Sequence, residues 1–355
     1  MKKEAGQVKK SEINSVEIAK LAGVSRSTVS RVINNYSNVP PETREKVMKV
    51  IQEYNYFPNV SAQVLAGKRT RTIGLFLIEP GGQVSGDILT NMLIVSVIEH
   101  ASAHGYYVMT HIIRSPRDAD TIKSVKEIFF QRRIEGGIFI GAANEEPLIE
   151  ELIEQGFMVG VMDQERPGHE EPNRIAANFD NEKGMRLAVD YLKSLGHRRI
   201  GVINGDMARL SGRTKYEGFL TAMREAGIEV NPSWVLAAGD FHETSGYNAM
   251  KALLAGGGEL PSAIVAANDS VAFGAIRALK EHGLHVPGDM SIIGFDDHAL
   301  SRMHHPALTT IGVDFGGMLK HLTARLICGI EQGVTAYQPY TQGSTLIVRD
   351  SCKAV

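Results

Sequence analysis

Only two cysteines occur in 355 residues, Cys328 and Cys352, and neither stands in a CxxC or other metal-binding spacing. A disulfide framework is therefore not expected, and a reducing cytoplasm is the simplest home. No apolar run reaches bilayer length, and the lysine-rich start has no apolar core behind it. Both features speak against a membrane span and a secretory signal. There is no glycine-rich phosphate loop: GVINGD at 201–206 lacks GxGxxG and GxxxxGK[ST] spacing. His197 and the pair His304-His305 lie in turn-like contexts without a partner cysteine, a nucleophilic serine motif or metal-ligand spacing. These absences leave no catalytic, cofactor or metal residue to name, and an enzyme is not expected.

Net charge is also small, at -2, but it is unevenly placed. Residues 1–71 carry 13 Lys/Arg against 6 Asp/Glu, and the remainder carries 25 against 34. A basic head on an acidic body suits a head that meets a polyanion. A chain of this length should form two or three domains.

The head is organised around Val16 to Ile33, VEIAKLAGVSRSTVSRVI. Ile18, Ala19 and Leu21 make an apolar stripe on a first helix, which Asn14 can cap with Glu17 as reciprocal partner. Gly23 turns the chain with positive φ. Val24, Val29 and Val32 anchor a second helix, whose other face carries Ser25, Arg26, Ser27, Ser30 and Arg31. Small polar and basic residues on an exposed helix suit a DNA major groove, although an ordinary surface hairpin would show the same pattern. Pro41 suits the first turn of a third helix, Glu42 to Tyr54, with Val47, Val50, Ile51 and Tyr54 inward. Asn59 can cap a short helix, Val60 to Ala66, which Gly67 ends. Seven residues are too few to stand alone, so this segment is either a frayed linker or a helix formed only when held.

From Thr72 the pattern alternates. Strands are expected at 73–78, 107–112, 137–140, 159–161, 200–204, 263–266, 290–294 and 344–348. Helices are expected at 88–104, 121–132, 147–155, 181–195, 214–226, 244–255 and 270–282. Such alternation implies an α/β fold of parallel sheets covered on both faces, and the length implies two lobes with a cleft at the strand carboxyl ends. Helix 88–104 is apolar nearly all round. Its second face must lie under another segment or form a subunit contact.

Several stretches together resemble the lactose/galactose repressor family: VEIAKLAGVSRSTVSRVINN, TREKVMKVIQEYNYFPN, SAQVLAG, VAANDSVAFGAIRAL at 265–279, IIGFDD at 292–297 and HPALTTI at 305–311. The resemblance spans residues 14 to about 350. It implies a helix-turn-helix DNA-binding domain (14–58) behind a basic tail (1–13), then a hinge helix and linker (59–71). A two-lobed, periplasmic-binding-protein-like domain (72–350) follows, for effector binding and dimerisation. Its first lobe is expected at about 72–165 and 299–335, and its second at about 170–296 and 338–350.

The resemblance further implies a ligand-responsive repressor that binds a pseudo-palindromic double-stranded operator as a homodimer. Arg26 and Ser27 fall at base-reading positions and Arg31 at a third contact. Ser25, Thr28, Ser30 and Asn14 suit phosphate oxygens. Asn59 and Leu65 belong to the hinge, where Leu65 is the minor-groove wedge. Asp163, Arg213, Phe241, Asn268 and Asp296 fall at effector positions, with Arg209, Ser211 and Lys215 as secondary candidates nearby. Two departures stand out. Pro40 replaces the hydroxyl residue that commonly caps the third helix. The loop EPGGQVSGD lacks the aromatic usual after the first strand, so Glu79, Ser85 or Asp87 must serve there. A sugar-like effector is favoured, with a purine or a protein co-regulator as alternatives. A cytoplasmic solute-binding protein or enzyme with a helical appendage is the rival reading. With no heptad repeat after strand 344–348, a dimer is the default expectation.

Overall fold

A computed structural model describes residues 13–57, 69–81, 88–333 and 339–355. The chain divides into two compact units, Met1–Thr70 and Arg71–Val355. Among the described residues no helix is long and apolar enough to cross a membrane.

The first unit holds α1 (Ser15–Ala22), α2 (Arg26–Ile33) and α3 (Pro41–Glu53). Asn14 Oδ1 accepts from the Val16 and Glu17 amides at 2.9 and 3.2 Å, and the Asn14 amide donates to Glu17 Oε2 at 2.9 Å. This is the reciprocal cap expected from the sequence. Gly23 closes α1 at φ +66°, a conformation that a Cβ would strain. Pro40 contributes no side-chain cap, and Pro41 at the first helical position starts α3 without one. Ile18, Ala19, Val29, Val32, Val39 and Val47 form the core. Leu21, expected inward, is 49 % exposed, and the partly buried Ala22 packs on the core in its place. Arg44 secures the turn after α2 by donating to Asn35 Oδ1 and the Tyr36 carbonyl, each at 2.6 Å.

The second unit contains two six-stranded sheets. In chain order its elements are β1 (Thr72–Ile78), α4 (Ile88–Ala103), β2 (Tyr107–Ile113), α5 (Ala119–Phe130), β3 (Gly136–Ile140), α6 (Pro147–Glu154), β4 (Met158–Met162) and β5 (Arg174–Phe179). Then follow α7 (Asn181–Ser194), β6 (Ile200–Asn204), α8 (Leu210–Ala226), β7 (Val235–Ala237), α9 (Glu243–Ala255), β8 (Ala263–Ala266), α10 (Asp269–Glu281) and β9 (Ser291–Asp296). The last are β10 (Thr309–Val313), α11 (Phe315–Gln332), β11 (Tyr340–Gln342) and β12 (Ser344–Ile347). The first sheet runs β11-β5-β4-β3-β1-β2 and is parallel throughout. The second runs β12-β10-β9-β8-β6-β7, with only β12 antiparallel. Strands buried on both faces read as unbroken apolar runs, as in MVGVM of β4.

The lobe boundaries differ from the expected ones. β5 pairs with β4 and β11 with β5, so residues 174–179 and 340–342 belong to the first lobe, not the second. β10 pairs with β9, so residues 309–313 belong to the second lobe, not the first. The chain therefore passes between lobes at Asp180, Asp314 and Gly343. Two of these residues cap the helix that follows: Asp180 accepts from the Lys183 amide and Asp314 from the Gly317 amide. α11, absent from the expected elements, packs on α4 and on β3, β4 and β5.

α4 buries Leu93, Val97 and Ala101 and exposes Met92, Val95 and Ile98. Edge strand β2 exposes Tyr107 and Ile112. Among the described residues nothing covers Met92, Val95 and Ile98, so among them the buried-segment expectation for this helix does not hold.

Asp269, at the start of α10, ties three segments together. Its buried carboxylate accepts from Ser301 Oγ at 2.6 Å, Thr310 Oγ1 at 2.5 Å and the His298 amide at 2.7 Å. Burial outweighs these bonds and pushes its pKa up to about 6. Relative to the unfolded chain, the folded protein therefore holds this proton to a higher pH. Its stabilising contribution is complete below the ordinary pKa of 3.8 and is lost as pH rises through about 6. Relative to Asp269→Asn, the wild type should lose roughly 3 kcal/mol of stability between pH 3 and 7 in urea titrations. Parallel curves for the two proteins would assign the effect elsewhere.

Candidate functional site

On α2, Ser25 caps the helix through Oγ, which accepts from the Thr28 amide at 3.1 Å and lies 2.7 Å from Ser27 Oγ and 2.9 Å from Thr28 Oγ1. Arg26, Ser27, Ser30 and Arg31 are all exposed, while Val29 and Val32 on the opposite face are buried. The structure thus gathers the base-reading and phosphate candidates on one polar, basic face. Arg26 Nε donates to Ser15 Oγ of α1 at 3.2 Å, which steadies the side chain at the helix start. Asn34 Nδ2 donates to Ser30 Oγ at 3.3 Å. Asn14 differs from the rest: its carboxamide oxygen is used in capping α1, so only its amide nitrogen can meet a phosphate. Asn59 and Leu65 lie outside the described residues, as do the hinge helix, Ser85 and Asp87.

Between the lobes lies a cavity of about 120 Å³. It is built at strand carboxyl ends, as parallel sheets dictate. Glu79 follows β1, Asp163 follows β4, Phe179 ends β5 and Asp296 ends β9; Asn268 caps α10 just after β8. Asp163 and Asp296 hold positive φ, +66° and +113°. Asn268 Oδ1 accepts from the Val271 amide at 2.8 Å, and its Nδ2 donates to the Phe241 carbonyl at 3.0 Å. Asn268 therefore positions the Phe241 wall. A Cβ at Gly205 would stand 2.3 Å from that ring, so a glycine there makes room for it.

Four of the five expected effector residues, Asp163, Phe241, Asn268 and Asp296, line this cavity. Arg213 does not: it is exposed and outside the lining. The reason is helix register. α8 begins at Leu210, four residues before the expected start, which places Ser211 and Lys215 together on the inward face and turns Arg213 away. Arg209, Ser211 and Lys215, the secondary candidates, occupy the wall instead. Leu89, Thr90 and His242 also line it without having been singled out, because single residues at helix starts carry no spacing signal.

The electrostatics are unusual for so small a space. Lys215 is 2 % exposed. Its Nζ donates to the Ala267 carbonyl at 2.7 Å, lies 3.9 Å from Asp296 Oδ1 and sits 3.7 Å from the Phe295 ring centroid. Burial lowers its pKa despite the neighbouring Asp296 and Asp163 carboxylates. Burial likewise raises that of Asp163, against the Ser211 hydrogen bond and the charges of Lys215 and Arg209. Asp163 Oδ2 accepts from the Ser211 amide at 3.1 Å, whereas the buried Oδ1 has no hydrogen-bond partner. Arg209 lies 5.5 Å over the Phe241 ring.

Further bonds join the lobes around the cavity. His242 Nε2 and Glu79 Oε1 are 2.8 Å apart, and the Asn144 amide donates to the Ala208 carbonyl at 2.9 Å. With the Ser211–Asp163 bond these hold the cleft shut around a mixed polar and aromatic interior.

Comparison with known proteins matches both units. Residues 16–59 match the family described as bacterial regulatory proteins, lacI family, and residues 189–352 match a periplasmic binding protein-like domain. The HTH-type transcriptional repressor PurR of Haemophilus influenzae strain PittEE is 34 % identical over 96 % of this chain and 98 % of its own. The PurR of Pasteurella multocida strain Pm70 is 35 % identical over 83 % and 85 %. Among solved structures, the lac repressor dimer bound to operator and the anti-inducer ONPF superposes with a TM-score of 0.81 at 28 % identity, covering 96 % of this chain and 99 % of that one. A complex of the transcriptional regulator CelR with cellobiose gives 0.73 at 28 % identity, covering 96 % and 100 %.

Proposed function

The chain belongs to the lacI family of bacterial regulatory proteins and is a transcriptional repressor with an effector-responsive domain, and we propose that it grips a pseudo-palindromic operator as a homodimer. The polar face of α2 enters the major groove, Arg26 reads bases, and Ser25, Thr28 and Ser30 meet phosphates. The exposed Met92, Val95 and Ile98 of α4 supply the apolar contact between protomers.

The effector is a small, uncharged polyhydroxyl compound held in the cleft. The observation that carries this reading is Asp163 Oδ1, a buried acceptor without a donor, in a cavity that the flat Phe241 ring also lines. A ligand hydroxyl supplies the missing donor, Asp296 accepts another and Arg209 offers a planar fork. Because the wall comes from both lobes, a ligand that binds the shut cleft more tightly than the open one shifts that equilibrium and, through it, DNA affinity.

Thermal-shift measurements on the purified protein test the ligand class. At a concentration near 100 Kd the correct ligand stabilises by about 2.7 kcal/mol, equivalent to a rise of roughly 5–10 °C. Mono- and disaccharides should include a stabiliser that Asp163→Asn no longer senses. A rise with purine bases and none with any sugar would overturn the ligand class. Gel shifts of genomic fragments, repeated at increasing salt, test the DNA reading. Competition equal to that of random duplex would overturn it.

A further inference from the structure

One of the bonds that close the cleft can take up a proton near neutrality. His242 Nε2 of the second lobe and Glu79 Oε1 of the first are 2.8 Å apart, with side chains 24 % and 15 % exposed. Among the described residues this is the one side-chain ion pair that joins the lobes. The other pairs lie within one lobe or the other. His242 stands at the N-cap of α9 and makes no side-chain cap there. The positive end of that helix disfavours charge on the imidazole. Glu79, carried by the segment after β1, supplies the opposite charge when the lobes are shut. The shut state therefore holds a proton on His242 more tightly than the open state, and by linkage proton uptake favours the shut state.

The charges around the pair are of both signs, and most stay with one partner whether the cleft is open or shut. Asp240 Oδ1 accepts from the His242 amide at 2.8 Å, and Glu243 is held by Arg277 at 2.6 Å; all three belong to the second lobe, as His242 does. Arg114 Nη1 donates to the Glu79 carbonyl at 3.0 Å and belongs, like Glu79, to the first. Arg209, Lys215 and Asp296 line the cavity from the second lobe and Asp163 lines it from the first. Asp163 is the rival titrating group at the boundary: it accepts from the Ser211 amide across the lobes, and burial raises its pKa.

We propose that Glu79 and His242 form a proton-operated latch, so that mild acidification shifts the effector domain toward its shut arrangement even without a ligand. The latch rests on the reading that this domain works by opening and shutting its lobes, and not on the identity of the effector. It acts between about pH 5 and 8, where histidine changes charge and an ordinary glutamate stays ionised.

Two amides read the lobe equilibrium directly. The Asn144 amide donates to the Ala208 carbonyl at 2.9 Å and the Ser211 amide to Asp163 Oδ2 at 3.1 Å, each across the lobes. Their hydrogen exchange is measured in the full chain, without effector or DNA, at about pH 5.5 and 8 and corrected for the intrinsic rate at each pH. Both should be less protected than the Ala267 amide, which is bonded to the Ile203 carbonyl at 2.8 Å inside the second lobe, because lobes part more readily than a sheet unfolds. In the wild type their protection should be about two- to fivefold higher at the lower pH, the span of a partly exposed pair. In Glu79→Gln and in His242→Gln that difference should vanish, and the double variant should match either single one. No difference in the wild type overturns the latch. A difference that survives in both variants assigns it to Asp163 and also overturns the latch. In either case the effector reading stands. Protection of Asn144 and Ser211 equal to that of Ala267 would show that the lobes do not part on their own, and would overturn the latch together with the two-state reading.

Discussion

Arg26→Ala is expected to weaken binding to a specific operator by about 30-fold to 10⁴-fold while leaving binding to random duplex nearly unchanged. A bidentate contact to a base contributes about 1–3 kcal/mol of discrimination, and a two-fold dimer makes it twice. Arg26 is placed for it: exposed, at the first turn of α2, with only Nε bonded within the protein, to Ser15. Arg26→Lys keeps the charge but loses the fork, so it should retain non-specific affinity and lose much of the preference. Fluorescence anisotropy at fixed salt, with a selected operator and a scrambled duplex, reads both quantities. A preference undiminished in Arg26→Ala would remove this residue from the readers.

Lys215→Met is expected to cost about 3–5 kcal/mol of stability at pH 7, the range for deleting one partner of a buried ion pair. The substitution keeps the stem volume but leaves Asp296, 3.9 Å away, and nearby Asp163 without their counter-charge. Adding Asp296→Asn should recover part of the loss, since removing both charges is milder than removing one. Arg213→Ala, two residues away on the exposed face, should change stability by less than about 0.5 kcal/mol and leave the ligand response intact. Urea unfolding of the four proteins decides the matter. Equal costs for Lys215→Met and Arg213→Ala would contradict the buried-charge account.

The contrast between Lys215 and Arg213 shows where the sequence stops being legible. The start of α8 has no side-chain cap to mark it, since its N-cap residue is Arg209. The resemblance placed Arg213 at an effector position, but with the helix starting at Leu210 it is Lys215 that lines the cavity while Arg213 is exposed. By contrast, α1 announces itself through Asn14 and Glu17 and ends at Gly23, and the structure agrees at both ends. The acidic and amide residues of the cleft, Asp163, Asn268 and Asp296, were placed there by the family resemblance, and each follows or ends a strand on the cavity wall. The lobe assignment was less so. β5 has no polar alternation and ends in Asn178-Phe179, and its partner β11 is only three residues long. Pairing between segments about 160 residues apart is a tertiary fact that local pattern does not carry. α11 was readable in hindsight from Phe315, Met318, Leu319, Leu322 and Leu326. Its opening Gly316-Gly317, poor in helix propensity, hides the start.

The three passages between lobes carry a lesson for biosynthesis. The first lobe's sheet is finished by β11, and α11 covers β3, β4 and β5. Both emerge from the ribosome only after nearly the whole second lobe has been translated. A nascent chain stopped between residues 180 and 315 therefore carries a half-clad apolar sheet, and chaperone engagement or degradation of such fragments should persist until α11 has been made.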